Sequence, residues 1–196
     1  MFDLGCFNIH QVYAWKPGFD RNNFVRWTKN GLLIHLRQSY YTFPEYKGKP
    51  DIVLYFANRI YRPSYVSLHT AMAFYGMIPE AVVQVTSVTS LKTASFSNDF
   101  GEYIYKSVHH ELMFGYDLKS VAERWTLQLA RPEKALIDLL YLYPFYNTVQ
   151  ALEDLRLDED YLQDDLDRKL LEKYTLKIKN NALENRVQLL INTYNL

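Results

Sequence analysis

Apolar positions at the start of the chain recur at helical spacing. Ile9, Val12 and Tyr13 share one face of a segment running from Phe7 to Trp15, and Lys16-Pro17-Gly18 ends it. Asp20 is suited to cap a second helix, whose stop signal is Asn30-Gly31. Leu32–Leu36 and Tyr40–Phe43 then read as two short strands around Arg37-Gln38-Ser39. Two helices followed by a hairpin form the winged helix-turn-helix pattern.

The pattern breaks at Pro44-Glu45-Tyr46-Lys47-Gly48-Lys49-Pro50, where two prolines and a glycine interrupt both helix and strand. This segment reads as a linker between a small domain, residues 1–46, and a larger one, residues 51–196. Helices are predicted over Asp51–Arg59 and Ser67–Tyr75, the latter with Leu68, Ala71, Met72 and Tyr75 on one face. Strands are predicted at Val82–Val88, Tyr103–Val108, Glu111–Gly115 and Trp125–Ala130. Pro132 opens an apolar helix through Tyr143, and two or three further helices follow residue 151, with Leu183, Val187, Leu190 and Tyr194 marking the last apolar stripe. The expected class is α+β: a small N-terminal winged helix-turn-helix, then a mixed α+β domain with a helical tail.

Composition sets outer bounds. The 196 residues are 48% hydrophobic and 22% charged, which suits a folded globular protein. Seventeen tyrosines imply many half-buried rings with wet hydroxyls. No apolar run approaches a bilayer span, and the first residues carry no basic stretch or apolar leader core. The single cysteine, Cys6, excludes an internal disulfide and a multi-cysteine zinc site. A cytoplasmic protein without a membrane partner is expected.

Net charge is zero, but its distribution is uneven. Residues 1–50 hold seven lysines and arginines against three acids, and residues 151–173 hold nine acids against four bases. The basic head directs attention to its second helix. At ~100° per residue, Asn22, Arg26 and Lys29 fall within an arc of about 60°, with Phe24 and Trp27 roughly opposite. One face packs and the other is polar and basic, as a helix entering a major groove requires. Asn and Arg read adenine and guanine edges, and Lys suits phosphate. Candidate DNA contacts are therefore Arg21, Asn22, Arg26 and Lys29, with Arg37 at the wing tip. An ordinary amphipathic surface helix has the same outer composition.

Catalytic patterns are missing. The chain has no GxGxxG, GxxxxGK[ST], GxSxG or HExxH. His109-His110-Glu111 is the one cluster of metal-ligating types, and on a strand only His109 and Glu111 would share a face. Cys6, a turn before His10, reads as a buried small side chain. Asp158, Glu159, Asp160, Asp164, Asp165 and Asp167 read as a solvated helix face. No enzymatic activity, cofactor or metal is expected.

Two segments carry a family likeness: Ile60-Tyr61-Arg62-Pro63-Ser64-Tyr65-Val66-Ser67-Leu68-His69-Thr70-Ala71-Met72-Ala73-Phe74-Tyr75-Gly76-Met77-Ile78-Pro79, and Ala130-Arg131-Pro132-Glu133-Lys134-Ala135-Leu136-Ile137-Asp138-Leu139-Leu140. Together they resemble the AbiEi-type antitoxins, transcriptional regulators of abortive-infection toxin–antitoxin systems in phage defence. Members carry an S-Y-[VI]-S-x-x-x-A-L-x-x-Y-G-L-I helix, a V-T-[ST] strand region and a PEKALLDLL helix. Met72 and Ile137 stand where leucine is usual, and the likeness covers about residues 7–143. It implies an N-terminal winged helix-turn-helix that represses its own promoter and a C-terminal antitoxin domain. The implied partners are duplex DNA and a nucleotidyltransferase toxin, neutralised without a stable complex, as in type IV systems. One departure is visible: only Met1–Cys6 precede the first predicted helix, so the usual first helix of the motif is short or missing. Glu133, Lys134 and Asp138 are the polar members of the second signature helix and are the candidate antitoxin surface. The alternative is a protein-interaction module whose degenerate winged helix does not bind DNA.

Overall fold

Strand β1 (Cys6–Asn8) begins the regular structure in the computed structural model, which describes residues 4–49, 51–80, 83–121 and 124–196. Phe7 thus lies in a strand, although its spacing predicts the start of a helix. It is opposite Tyr41 on β3 (Tyr40–Thr42) and packs against Phe24 and Phe43, a burial that only residues far along the chain can offer. Helix α1 (Ile9–Trp15) starts behind a capping box in which Asn8 Oδ1 accepts the His10 N–H at 2.9 Å and Gln11 Oε1 accepts the Asn8 N–H at 2.8 Å. Helix α2 (Asn22–Lys29) is capped at Arg21, one residue later than expected, yet Asp20 Oδ1 still accepts the Asn22 N–H at 2.9 Å. It stops as predicted: Gly31 takes a φ of +71°, which glycine alone adopts without cost, and the Leu32 N–H returns to the Trp27 carbonyl. Strands β2 (Ile34–Arg37) and β3 form the hairpin, and β1 adds outside it, giving an antiparallel sheet of order β1-β3-β2. Phe7, Ile9, Val12, Phe24 and Leu33 form the apolar centre of this head.

Within the predicted linker Tyr46 is packed, whereas Glu45, Lys47, Gly48 and Lys49 are exposed. Pro44–Tyr46 makes a 3-10 turn, and the Tyr46 ring is fully buried 5.4 Å from Trp125. Pro50 lies outside the described residues. Cys6, Leu36 and Tyr46 belong to the main core rather than to the small apolar centre of the head.

The body is built on a six-stranded mixed sheet. After α3 (Ile52–Ile60) come β4 (Ser64–Val66), α4 (Leu68–Phe74), β5 (Gln84–Thr89), β6 (Ala94–Asn98), β7 (Gly101–Ser107), β8 (Tyr116–Val121) and β9 (Trp125–Ala130), in sheet order β6-β7-β5-β4-β9-β8. The β5–β7 and β4–β9 pairs are parallel; the other three are antiparallel. The predicted Val82–Val88 strand begins at Gln84, Val82 itself lying outside the described residues. The predicted strand at Glu111–Gly115 is instead a 3-10 turn, His110–Leu112, that leads into β8.

Helix α5 (Pro132–Leu142) packs against β9, α4, α8 and α9, so it is enclosed on several sides. Four helices close the chain: α6 (Val149–Glu153), α7 (Glu159–Asp164), α8 (Arg168–Ile178) and α9 (Asn181–Tyr194). Each starts behind a capping side chain: Thr148, Asp158, Asp167 and Asn180. The acidic run is thus exposed, with two of its members as caps. No helix among the described residues is long and apolar enough to cross a membrane.

Candidate nucleic-acid interface and a buried polar cluster

Arg21, Asn22, Arg26 and Lys29 are exposed on the outer face of α2, opposite buried Phe24. The 3.6-residue period that separates them in sequence separates them in space. Arg26 Nη2 donates to Asn23 Oδ1 at 2.7 Å, which restrains the guanidinium along the helix surface. Two cations in the last turn, Arg26 and Lys29, also complement the negative end of the helix dipole. This face offers charge and hydrogen-bond donors without a burial penalty.

Arg37 is placed differently from expectation. Its guanidinium carbon lies 4.3 Å from the Tyr61 ring centroid and 4.2 Å from that of Phe96, and Nη1 donates to the Ile60 carbonyl at 3.0 Å. A cation held against two rings and tied to a backbone oxygen has exchanged part of its water for protein. Arg37 therefore joins the hairpin to the body and is not a free wing-tip contact. The exposed cation-bearing candidates remain on α2.

The polar residues of α5 also depart from expectation. Glu133, Lys134 and Asp138 are buried, so they form no surface. Lys134 Nζ is bonded to Asp138 Oδ1 one turn along and donates to the Tyr65 hydroxyl at 2.9 Å. Asp138 Oδ2 accepts from Tyr65 at 2.9 Å and from the Ser67 hydroxyl at 2.7 Å. Burial, reinforced by the neighbouring Asp138 charge, pushes the Tyr65 phenol well above its usual range, so it stays a neutral donor. Glu133 Oε1 accepts the Asp167 N–H at 3.0 Å and so fixes the start of α8. Gly115 completes the enclosure: at φ +73°, a Cβ there would meet Tyr174 at 2.9 Å and the Lys134 stem at 3.1 Å. Tyr65 and Ser67 of the first signature segment and Lys134 and Asp138 of the second thus meet in one network that pins α5 to β4 and to the start of α4. Its chemistry is structural, because every polar group in it already has a protein partner.

Cys6 is fully buried, and desolvation raises its thiol to about 11, with Arg59 opposing the shift. A thiol so placed is inert as a nucleophile. His109, His110 and Glu111 do converge, because they occupy a turn rather than a strand: their ligand atoms lie within 4.8 Å of one another. All three are exposed, and His109 Nδ1 is 3.5 Å from Glu111. The set is chemically able to coordinate a divalent cation, in competition with hydration on an open turn.

Two of the cavities among the described residues bear on function. One is an open groove of about 300 Å³ in the head, lined by apolar side chains that include Trp15, Trp27 and Leu32. The other is an arginine-lined cleft beside α3 and β9. Its sequence signal was available: residues 52–79 contain Arg59 and Arg62 but no acid.

No family model and no curated protein matches this chain. The functional reading therefore rests on the geometry above and on the sequence resemblance.

Proposed function

We propose that the protein is a DNA-binding transcriptional regulator of the AbiEi antitoxin type, with a winged helix-turn-helix as its head. It represses its own promoter and antagonises a nucleotidyltransferase toxin in the cytoplasm, without catalysis of its own. The observation that carries this reading is the exposed, basic outer face of α2, set on two helices and a hairpin as a groove-reading helix requires. The test is fluorescence anisotropy of the full chain on DNA from upstream of its own gene, as a function of salt. Arg26→Ala/Lys29→Ala should weaken binding and reduce the slope of log K against log salt by about two units, near one for each phosphate no longer neutralised. An unchanged slope and affinity would remove DNA contact from this face.

A second reading, that the head is a protein-interaction module, is favoured by the apolar groove and by Trp15, which is 74% exposed at its rim. Absence of promoter binding by the full chain, together with toxin neutralisation abolished by Trp15→Glu in co-expression, would support that reading over the first.

A further inference from the structure

Arg59 lies in the last turn of α3 and Arg62 two residues beyond its end. With Asn58, Arg124, Trp125 and Leu118 they line an open cleft of about 740 Å³, and no carboxylate among the described residues lines it. Nor does any described carboxylate pair with Arg59 or Arg62. Arg62 Nε donates to the Asn58 main-chain carbonyl at 2.9 Å, which anchors one edge of its guanidinium. Burial, and then the charge of Arg59, holds Arg62 below the usual arginine range. The two neighbouring guanidinium groups repel until an anion joins them.

Asn58 supplies the deciding detail. The residue is 3% exposed, and its side-chain oxygen accepts the backbone N–H of Gln128. That bond fixes the amide orientation and leaves Nδ2 buried and without a partner, on a residue that lines the cleft. Arg59 Nε is likewise buried and unpartnered. The unmet groups are all donors. The matching ligand is therefore an anion rich in acceptor oxygens, and guanidinium forks suit a tetrahedral phosphate.

We propose that this cleft binds a small organic phosphate of the nucleoside mono- or diphosphate class, through Arg59, Arg62 and the Asn58 amide. The cavity is large enough for such a molecule, with Leu118 and Trp125 as an apolar wall beside the cations. A small free ligand can meet the buried amide after a local side-chain adjustment, whereas the phosphates of a rigid duplex ride on a broad surface. The site shares no residue with the α2 face, so it stands or falls independently of promoter binding.

Isothermal titration of the full chain with ADP, adenosine and a short DNA duplex tests it. ADP should bind and adenosine should not at the same concentration. Arg62→Gln, with its melting temperature measured alongside to verify the fold, should weaken ADP at least about tenfold, the effect of removing one charge-assisted hydrogen bond. The proposal is overturned by no ADP binding at millimolar concentration, by adenosine binding as well as ADP, or by an unaltered Arg62→Gln variant. Displacement of ADP by lower concentrations of duplex would also overturn it, by reassigning the cleft to nucleic acid.

Discussion

Arg37 on the hairpin lies against Phe96 of β6, with 4.2 Å between its guanidinium carbon and the ring centroid. The Asn98 side chain donates to the Leu36 carbonyl at 3.1 Å, beside the same ring. Arg37→Ala should therefore lower unfolding free energy by about 1–3 kcal/mol in urea titration, because it removes the cation–π stacking and a hydrogen bond. Its promoter affinity should keep the wild-type salt slope. Arg37→Lys should recover only part of the stability, because a lysine has no planar guanidinium to lie against a ring while donating to the Ile60 carbonyl.

Lys134 and Asp138 form a buried ion pair, so removing one partner strands the other. Lys134→Met or Asp138→Leu alone should each cost about 3–5 kcal/mol, whereas the double variant should cost less than the sum. A double-mutant cycle by chemical denaturation measures this. Toxin neutralisation in co-expression should decline in step with stability. Abolished neutralisation at full stability would instead give these residues a direct functional role.

Gly115→Ala should destabilise by about 1–3 kcal/mol, since it forces a side chain into left-handed backbone and against Lys134 and Tyr174. Thermal unfolding checks it, and a neutral result would mean that the Lys134 stem yields freely.

Alkaline pH provides a test of the tyrosines. Burial raises Tyr75 and Tyr161 from 10.0 to about 12 in the folded protein. Unfolded tyrosines ionise first, so their contribution to stability is fully present below pH 10 and disappears as pH rises toward about 12. Denaturant midpoints should thus fall through this window, and Tyr75→Phe/Tyr161→Phe should flatten the decline.

The α2 face was legible because a helix of eight residues shows its period locally: Phe24 inward, Asn22, Arg26 and Lys29 outward. Helix α5 was legible as an element, but the placement of its polar residues was not. A Lys and an Asp one turn apart look solvated until Tyr65 and Ser67, some seventy residues away, supply partners. Arg37 was misplaced for the same reason, its rings coming from Tyr61 and Phe96. Strand β6 was missed because its sequence, Ala-Ser-Phe-Ser-Asn, has one large apolar residue and relies on pairing with β7. Strand β4 has three residues, all buried, too short for any period to register. Phe7 was drawn into a helix because the pairing that makes it a strand lies across the sheet at Tyr41.

The burial of Tyr46, with Cys6 and Leu36 beside it in the main core, fixes how the molecule comes apart. A fragment cut at Asp51 would leave the slot of Tyr46 open and the Trp125 ring facing water, so it should precipitate rather than persist as an autonomous unit. Calorimetry of the intact chain should accordingly record a single endotherm, with van't Hoff and calorimetric enthalpies in agreement. The orientation of α2 should then follow the packing of Cys6, Leu36 and Tyr46 in the main core, and whatever loosens that packing should loosen its aim.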